Sequence, residues 1–311
     1  MEYVKQMKIC PDARASEIIA AMRSSGVLGG GRLAKAAELV KEFFEDPDFT
    51  IFLAMAGPVV PGGLGAIVSE LVRKGHIDAL VSNGANLTHD IIEGLGFRHI
   101  RGDARADDSA LRRRGIGRIG DIYTDQAAFK QLERWVHRTL ETLAAGKEGG
   151  VGKVPVSTIL EAFGRGLKAE TSILASAAER GVPIFSPGIF DSMLGLHLWT
   201  YGQLNALQVD LQSDMSRMAD LVYGAKKIGA IILGGGVPKH FTLGACMLRG
   251  GADAAVQIIM DRPEGGSLSG ASLEEAISWG KAKEEGNLVT VVADFTIAFP
   301  LIIAYATSGR V

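Results

Sequence analysis

The sequence is poor in cysteine, in net charge and in long apolar runs. Its 311 residues hold two cysteines, Cys10 and Cys246. These are too few for a disulfide framework and have no metal-ligand spacing, so a reduced, cytoplasmic protein is expected. No zinc motif, Ser/His/Asp order or paired-carboxylate signature stands out, and no metal site is expected. The net charge is −2, which gives no basic field to attract nucleic acid or an anionic membrane. No apolar run approaches membrane-spanning length, and the opening MEYVKQMKICPDARASE has no apolar core of a signal peptide, so a soluble chain is expected. There is no repeat of solenoid length either.

What is present is glycine (40 residues) in an otherwise ordinary globular composition, 47% hydrophobic and 22% charged. Many glycines cluster in short runs between apolar segments, where tight turns or close backbone approach to a ligand need them. Helices are expected over 16–24, opened by Ser16, and over RLAKAAELVKEFFED. Short uniformly apolar runs then alternate with amphipathic ones: FTIFLAMAG, IDALVSNG, PIFS, IGAIILGGG, ADAAVQIIM and NLVTVVAD read as buried parallel strands. The segment 98–124 is polar and irregular, its RRR reading as a solvated face, and KEGGVGKVP reads as a loop. The order strand, glycine turn, helix predicts an α/β fold with a parallel Rossmann-like sheet and helices on both faces. The whole chain, 1–311, reads as one domain with a helical N-terminal extension over about 1–48.

In such sheets ligands bind at the carboxyl ends of strands, here AMAG-PVV, VSNGANL, PIFSPGIFD, ILGGGVPKH, IIMDRPEGG and VVADF. ILGGGVPKH can cradle a phosphate between backbone and helix N-terminus, or can be a plain strand-to-helix turn. His240 just beyond it is a general base or a helix-start cap. Asp191 and Asp294 suit ribose hydroxyls or an amine, and equally suit helix caps.

The stretch EEAISWGK (274–281) gathers two carboxylates, an indole and a lysine. As a helix it would put Glu274, Ser278 and Lys281 near one face and Glu275 and Trp279 on another, with Lys281 at its C-terminal end. A lysine roofed by tryptophan could be dry enough to act as an amine nucleophile; the alternative is a solvated lysine on an amphipathic helix.

The stretches VPIFSPGIFDSMLG, IGAIILGGGVPKH, LRGGADAAVQI, GSLSGASLEEAISWGK and VVADFTIAFPL resemble the deoxyhypusine synthase family. Weaker likeness runs through FLAMAGPVVPGGLGAIVSELV, IDALVSNGANLTHDI and RGIGRIGDIY, so the resemblance covers most of the chain. It implies NAD-dependent oxidation of spermidine and transfer of the aminobutyl group, through a lysine imine, to a lysine of a hypusine-type translation factor. By resemblance Lys281 is the imine-forming nucleophile and His240 the proton acceptor. Trp279 and Glu275 line the amine site, with Gly266, Ser267 and His89 as further substrate-binding residues. Asp191, Gly235 and Asp294 would touch NAD, with Asn83, Gly84, Gly57 and Asp261 beside it. A homotetramer with sites between subunits is implied as well.

Some positions depart from the family pattern. Thr88 and His89 replace a Glu-Glu pair, Leu196 and Leu268 each replace an Asp, and Gly244 replaces an Asn. Gly57-Pro58 stands for Ser-Asn and Met260-Asp261 for Thr-Ala. Losing carboxylates removes counter-charges that a buried polyamine needs, and an unpaired buried ammonium is costly. Two alternatives follow. One is a divergent member, such as a homospermidine-forming enzyme, using another amine or acceptor. The other is a catalytically silent paralogue that binds a nucleotide or partner.

Overall fold

The computed structural model describes residues 3–144 and 152–309. Its contacts divide the chain into two compact units, 1–56 with 217–311, and 57–216. The sequence reading takes the chain as one domain.

The first unit opens with α1 (Ala15–Ser25) and α2 (Leu28–Glu45), followed by β1 (Phe49–Met55). Ser16 lies inside the first turn of α1; the cap position is Arg14, whose N–H donates to Glu17 Oε2 at 2.7 Å.

The second unit runs through α3 (Gly65–Arg73), β2 (Ala79–Ser82), α4 (Gly84–Gly94), β3 (Ile100–Arg101), α5 (Asp108–Arg113), β4 (Ile116–Ile119), β5 (Ile122–Asp125) and α6 (Ala127–Ala144). It continues with β6 (Gly152–Pro155), α7 (Val156–Gly166), α8 (Ile173–Arg180), β7 (Ile184–Phe185), α9 (Met193–Leu204) and β8 (Leu207–Asp210). From there α10 (Leu211–Gly224) leads back into the first unit, which ends with β9 (Lys227–Leu233), α11 (Gly236–Cys246), β10 (Ala252–Ile259), α12 (Glu275–Ser278), β11 (Ala282–Val292) and α13 (Phe295–Ala306).

In the first unit β11, β10, β9 and β1 lie side by side in that order and all parallel. β1 and β9 pair from Phe49↔Lys227 to Met55↔Leu233. Every residue of β9 after Lys227 is buried, so both faces of the strand are covered, as an unbroken apolar run requires. On one face α2 comes close: a Cβ on Gly229 would stand 3.1 Å from the Phe43 ring. The uniformly apolar α13 packs on α2, burying Phe299, Ile302 and Ile303. α1 packs on both, which makes the expected N-terminal extension part of this helical layer.

In the second unit β2 and β7 are parallel, Leu80 opposite Ile184, and β6 pairs parallel with β8. The segment expected to be irregular, 98–124, instead contains α5 and an antiparallel sheet in the order β3-β5-β4. Ile119 faces Ile122 across a Gly120-Asp121 turn, with Gly120 at φ 60°. Two short polar strands carry too few apolar residues for period-2 alternation to show, and the two-residue turn is what joins them. Arg112, Arg113 and Arg114 are all exposed. The expected loop KEGGVGKVP lies outside the described residues up to 151, and its last four residues are β6. Among the described residues no helix is long and apolar enough to cross a membrane.

Candidate functional site

EEAISWGK is not one helix. α12 is a single turn that stops at Ser278, because Gly280 takes the left-handed conformation at φ 66°. Gly280 N–H donates to Ile277 O at 2.9 Å and Lys281 N–H to Ala276 O at 2.9 Å, the paired bonds of a glycine helix stop. Lys281 therefore shares no helical face with Glu274 and Ser278. It stands just before β11, its carbonyl accepting from Ala252 N–H at 3.0 Å. That is the amino end of a strand, whereas the sequence points to carboxyl ends.

Lys281 lines a cavity of about 480 Å³ in the first unit. The cavity runs along α11 from Lys239 and His240 to Leu243 and Met247. Opposite are Gly266, Leu268, Ala271, Ser272, Glu275, Ala276 and Trp279. Lys281 Nζ is 3.4 Å from His240 Nδ1 and 5.7 Å from the centroid of the Trp279 ring. Lys281 is half-buried and Trp279 is 63% exposed, so a single chain does not roof the amine as the sequence reading expects. Among the described lining residues Glu275 is the sole carboxylate.

Lys281, His240, Glu275, Trp279 and Gly266 are thus brought together. Ser267 adjoins Gly266 and is exposed, its Oγ accepting from Gly270 N–H at 3.2 Å. Gly235, Asp261 and Asp294 follow the carboxyl ends of β9, β10 and β11 and do not line the cavity. A Cβ on Gly235 would lie 2.5 Å from Ser269 Oγ, so that glycine is used for close packing. Asp294 caps α13, Oδ1 accepting from Thr296 N–H at 2.7 Å and Thr296 Oγ1 at 2.8 Å. Asp261 is exposed.

The remaining expected residues belong to the second unit. Asn83 caps α4, accepting from Asn86 N–H at 2.8 Å. Gly84 packs so closely that a Cβ would lie 2.4 Å from Ser192 Oγ. Gly57 adopts φ 84°, and Asp191 is exposed beside Ser192, which is the residue that caps α9. His89 is 9% exposed and its Nδ1 lies 2.8 Å from His99 Nε2. His99 Nδ1 in turn meets Glu93 Oε1 at 2.7 Å. Burial, and then the charge of His99, push His89 down to about 4. Thr88 is equally internal, its Oγ1 donating to Gly84 O and accepting from Leu194 N–H at 3.1 Å. The two residues that depart from the Glu-Glu pair are therefore part of this unit's packing.

Lys239 is the site residue that sequence reasoning missed. It is 3% exposed, and Nζ donates to Ala271 O at 2.6 Å and Leu268 O at 3.2 Å. Burial lowers it to about 8, with the Glu275 charge opposing and the Lys281 charge assisting. A signal existed: Lys239 takes its place in the buried stripe of α11 with Thr242, Leu243 and Cys246, at helical spacing.

The parallel sheet with its covering helices defines an α/β protein, and the candidate site is the cavity between α11 and the α12 segment. The deoxyhypusine synthase family model matches residues 17–306. A probable deoxyhypusine synthase of Methanothermobacter thermautotrophicus is 47% identical over 98% of both chains. One from Methanopyrus kandleri is 45% identical over 90% of both. A crystal structure from Entamoeba histolytica, provisionally assigned to the same enzyme, superposes with TM-score 0.67 at 18% identity, covering 94% of this chain and 93% of that one. The chain belongs to the deoxyhypusine synthase family and is a transferase of that type.

Proposed function

We propose that the chain transfers an aminobutyl, or other aminoalkyl, group from an amine such as spermidine through an imine on Lys281, with NAD as cofactor. The acceptor in this reading is a lysine of a hypusine-type translation factor. The observation that carries the reading is the placement of Lys281 Nζ 3.4 Å from His240 Nδ1 and 5.7 Å from the Trp279 ring, in one cavity with Glu275. A lysine must lose its proton to attack carbon, and His240 is within hydrogen-bond reach to take it. The indole face attracts the ammonium of a bound amine, and Glu275 supplies a counter-charge.

The turn between β9 and α11 supports NAD as the cofactor. Gly234 and Gly236 turn at φ 79° and 56°, and a Cβ on Gly236 would meet open space. The 11-residue α11 begins there, leaving the N–H groups of Gly236 and Val237 without helical partners and suited to a pyrophosphate. Asp261 stands exposed at the neighbouring strand end. When bound there, NAD would supply a hydride acceptor for oxidation of the carbon next to the substrate nitrogen. Exposed apolar side chains around the cavity (Trp279, Met247, Leu248, Leu268) support a homotetramer in which a second copy covers them.

The test is to incubate the protein with NAD and spermidine, trap with borohydride and locate the adduct by mass spectrometry. An aminobutyl adduct on the Lys281 peptide is expected, and Lys281→Arg abolishes it, since a guanidinium cannot form the imine. No NADH and no adduct with any amine, despite NAD binding, would overturn the reading in favour of a catalytically silent paralogue. One observation favours a second reading, a homospermidine-forming or other divergent member. Leu268 lines the cavity and, among the described lining residues, Glu275 is the sole carboxylate, a setting for an amine with fewer charges than spermidine. An adduct formed only with another amine selects it.

A further inference from the structure

Among the described residues Lys239 is the only buried lysine, and neither of its two hydrogen bonds goes to a carboxylate. Both go to carbonyls of one loop, those of Leu268 and Ala271. Between them, Ser269 O accepts from Gln257 Nε2 at 3.0 Å, and the same amide donates to Gly234 O, after β9, at 3.0 Å. Gly235 closes against Ser269 with no room for a side chain. Residues 268–271 are thus tied down from α11 and from β10, and these ties aim Leu268 and Ala271 at the cavity.

We propose that Lys239 is a positioning residue that clamps the Leu268–Ala271 wall of the cavity and releases a proton when a cationic amine enters. An ammonium costs more to bury than a neutral donor, so the clamp alone does not call for a lysine. A neutral lysine still has two N–H groups, enough for both carbonyls, so it can lose charge without letting go of the wall. The titratable groups facing it are Glu275 from α12, Lys281 before β11 and His240 on its own helix. Glu275 holds the proton on Lys239 and Lys281 drives it off. An incoming ammonium adds to the repulsion and competes for Glu275, so both effects favour release from a group already lowered to about 8. The release rests on the amine-site reading above, whereas the clamp does not.

Hydrogen exchange tests the clamp without any substrate. In Lys239→Met, amides of 266–272 should exchange roughly tenfold faster or more, with the β9 and β10 amides unchanged. Lys239→Arg, which keeps donors and charge, should restore protection. Wild-type protection in the methionine variant overturns the clamp. Calorimetry of spermidine binding with saturating NADH, which cannot accept a hydride and so prevents turnover, at about pH 7.5 in two buffers of different ionisation heat, tests the release. The wild type should release part of a proton for each amine bound, and Lys239→Arg should release none. Binding without release by the wild type overturns this half. No amine binding by the wild type sinks the amine-site reading and the release together, leaving hydrogen exchange to decide the clamp.

Discussion

Trp279 is poised at an ordinary cation–π distance from Lys281 Nζ, yet most of its ring faces outward. Its expected contribution is to hold a substrate ammonium, at about 0.5–2 kcal/mol. Trp279→Ala should therefore raise the amine KM by roughly 2- to 30-fold and leave NAD affinity unchanged, as steady-state kinetics and NAD titration would show. His89 makes a different prediction, about stability. Its folded pKa, near 4, lies below the ordinary histidine value, so between the two the unfolded chain binds the extra proton. Stability should hold above about pH 6.5 and fall by roughly 3 kcal/mol as pH drops toward 4. Denaturant titrations across that range check the slope, and His89→Asn should flatten it. An unchanged slope would assign the acid sensitivity elsewhere.

At the scale of the element, a one-residue stop decides where the lysine goes. Gly280 at φ 66° ends α12 and hands Lys281 to the start of β11. A side chain there is strained by about 1 kcal/mol. Gly280→Ala should lower stability by about that amount while cutting the rate of adduct formation on Lys281 by far more. Comparing unfolding with single-turnover trapping separates the two. Asp90 plays a purely internal part in the second unit. Its carboxylate accepts from Ile173 N–H and Leu174 N–H at 2.9 Å and from Ser172 Oγ at 2.8 Å, at the start of α8. Asp90→Ala leaves three buried donors unpaired and should cost about 3 kcal/mol or more in chemical denaturation.

For the whole molecule, the family and the parallel alternation were legible because buried strands are uniformly apolar and glycine turns punctuate them. The strands β3, β4, β5, β6 and β8 were not, being short and half-exposed, with little periodicity to read. The apolar side chains left exposed around the cavity lead to a prediction at this scale: light scattering should report about four times the 32.9 kDa of the chain. Trp279→Asp should lower that mass if the ring lies in the interface, because a carboxylate there must be desolvated. A wild-type monomer that still forms the Lys281 adduct would sink the tetramer reading.

By itself the sequence determined the parallel α/β architecture and the family, and it singled out Lys281, Trp279, Glu275 and His240 as candidate site residues. Each is written in local patterns, in apolar runs, in glycine punctuation and in the quoted motif stretches. Tertiary structure alone decided that Lys281 leaves the helix, that Thr88 and His89 turn inward, and that a second lysine, Lys239, is buried under the cavity wall. Those outcomes depend on backbone handedness at one glycine and on contacts between residues distant in the chain, such as Lys239 with Leu268 and Ala271.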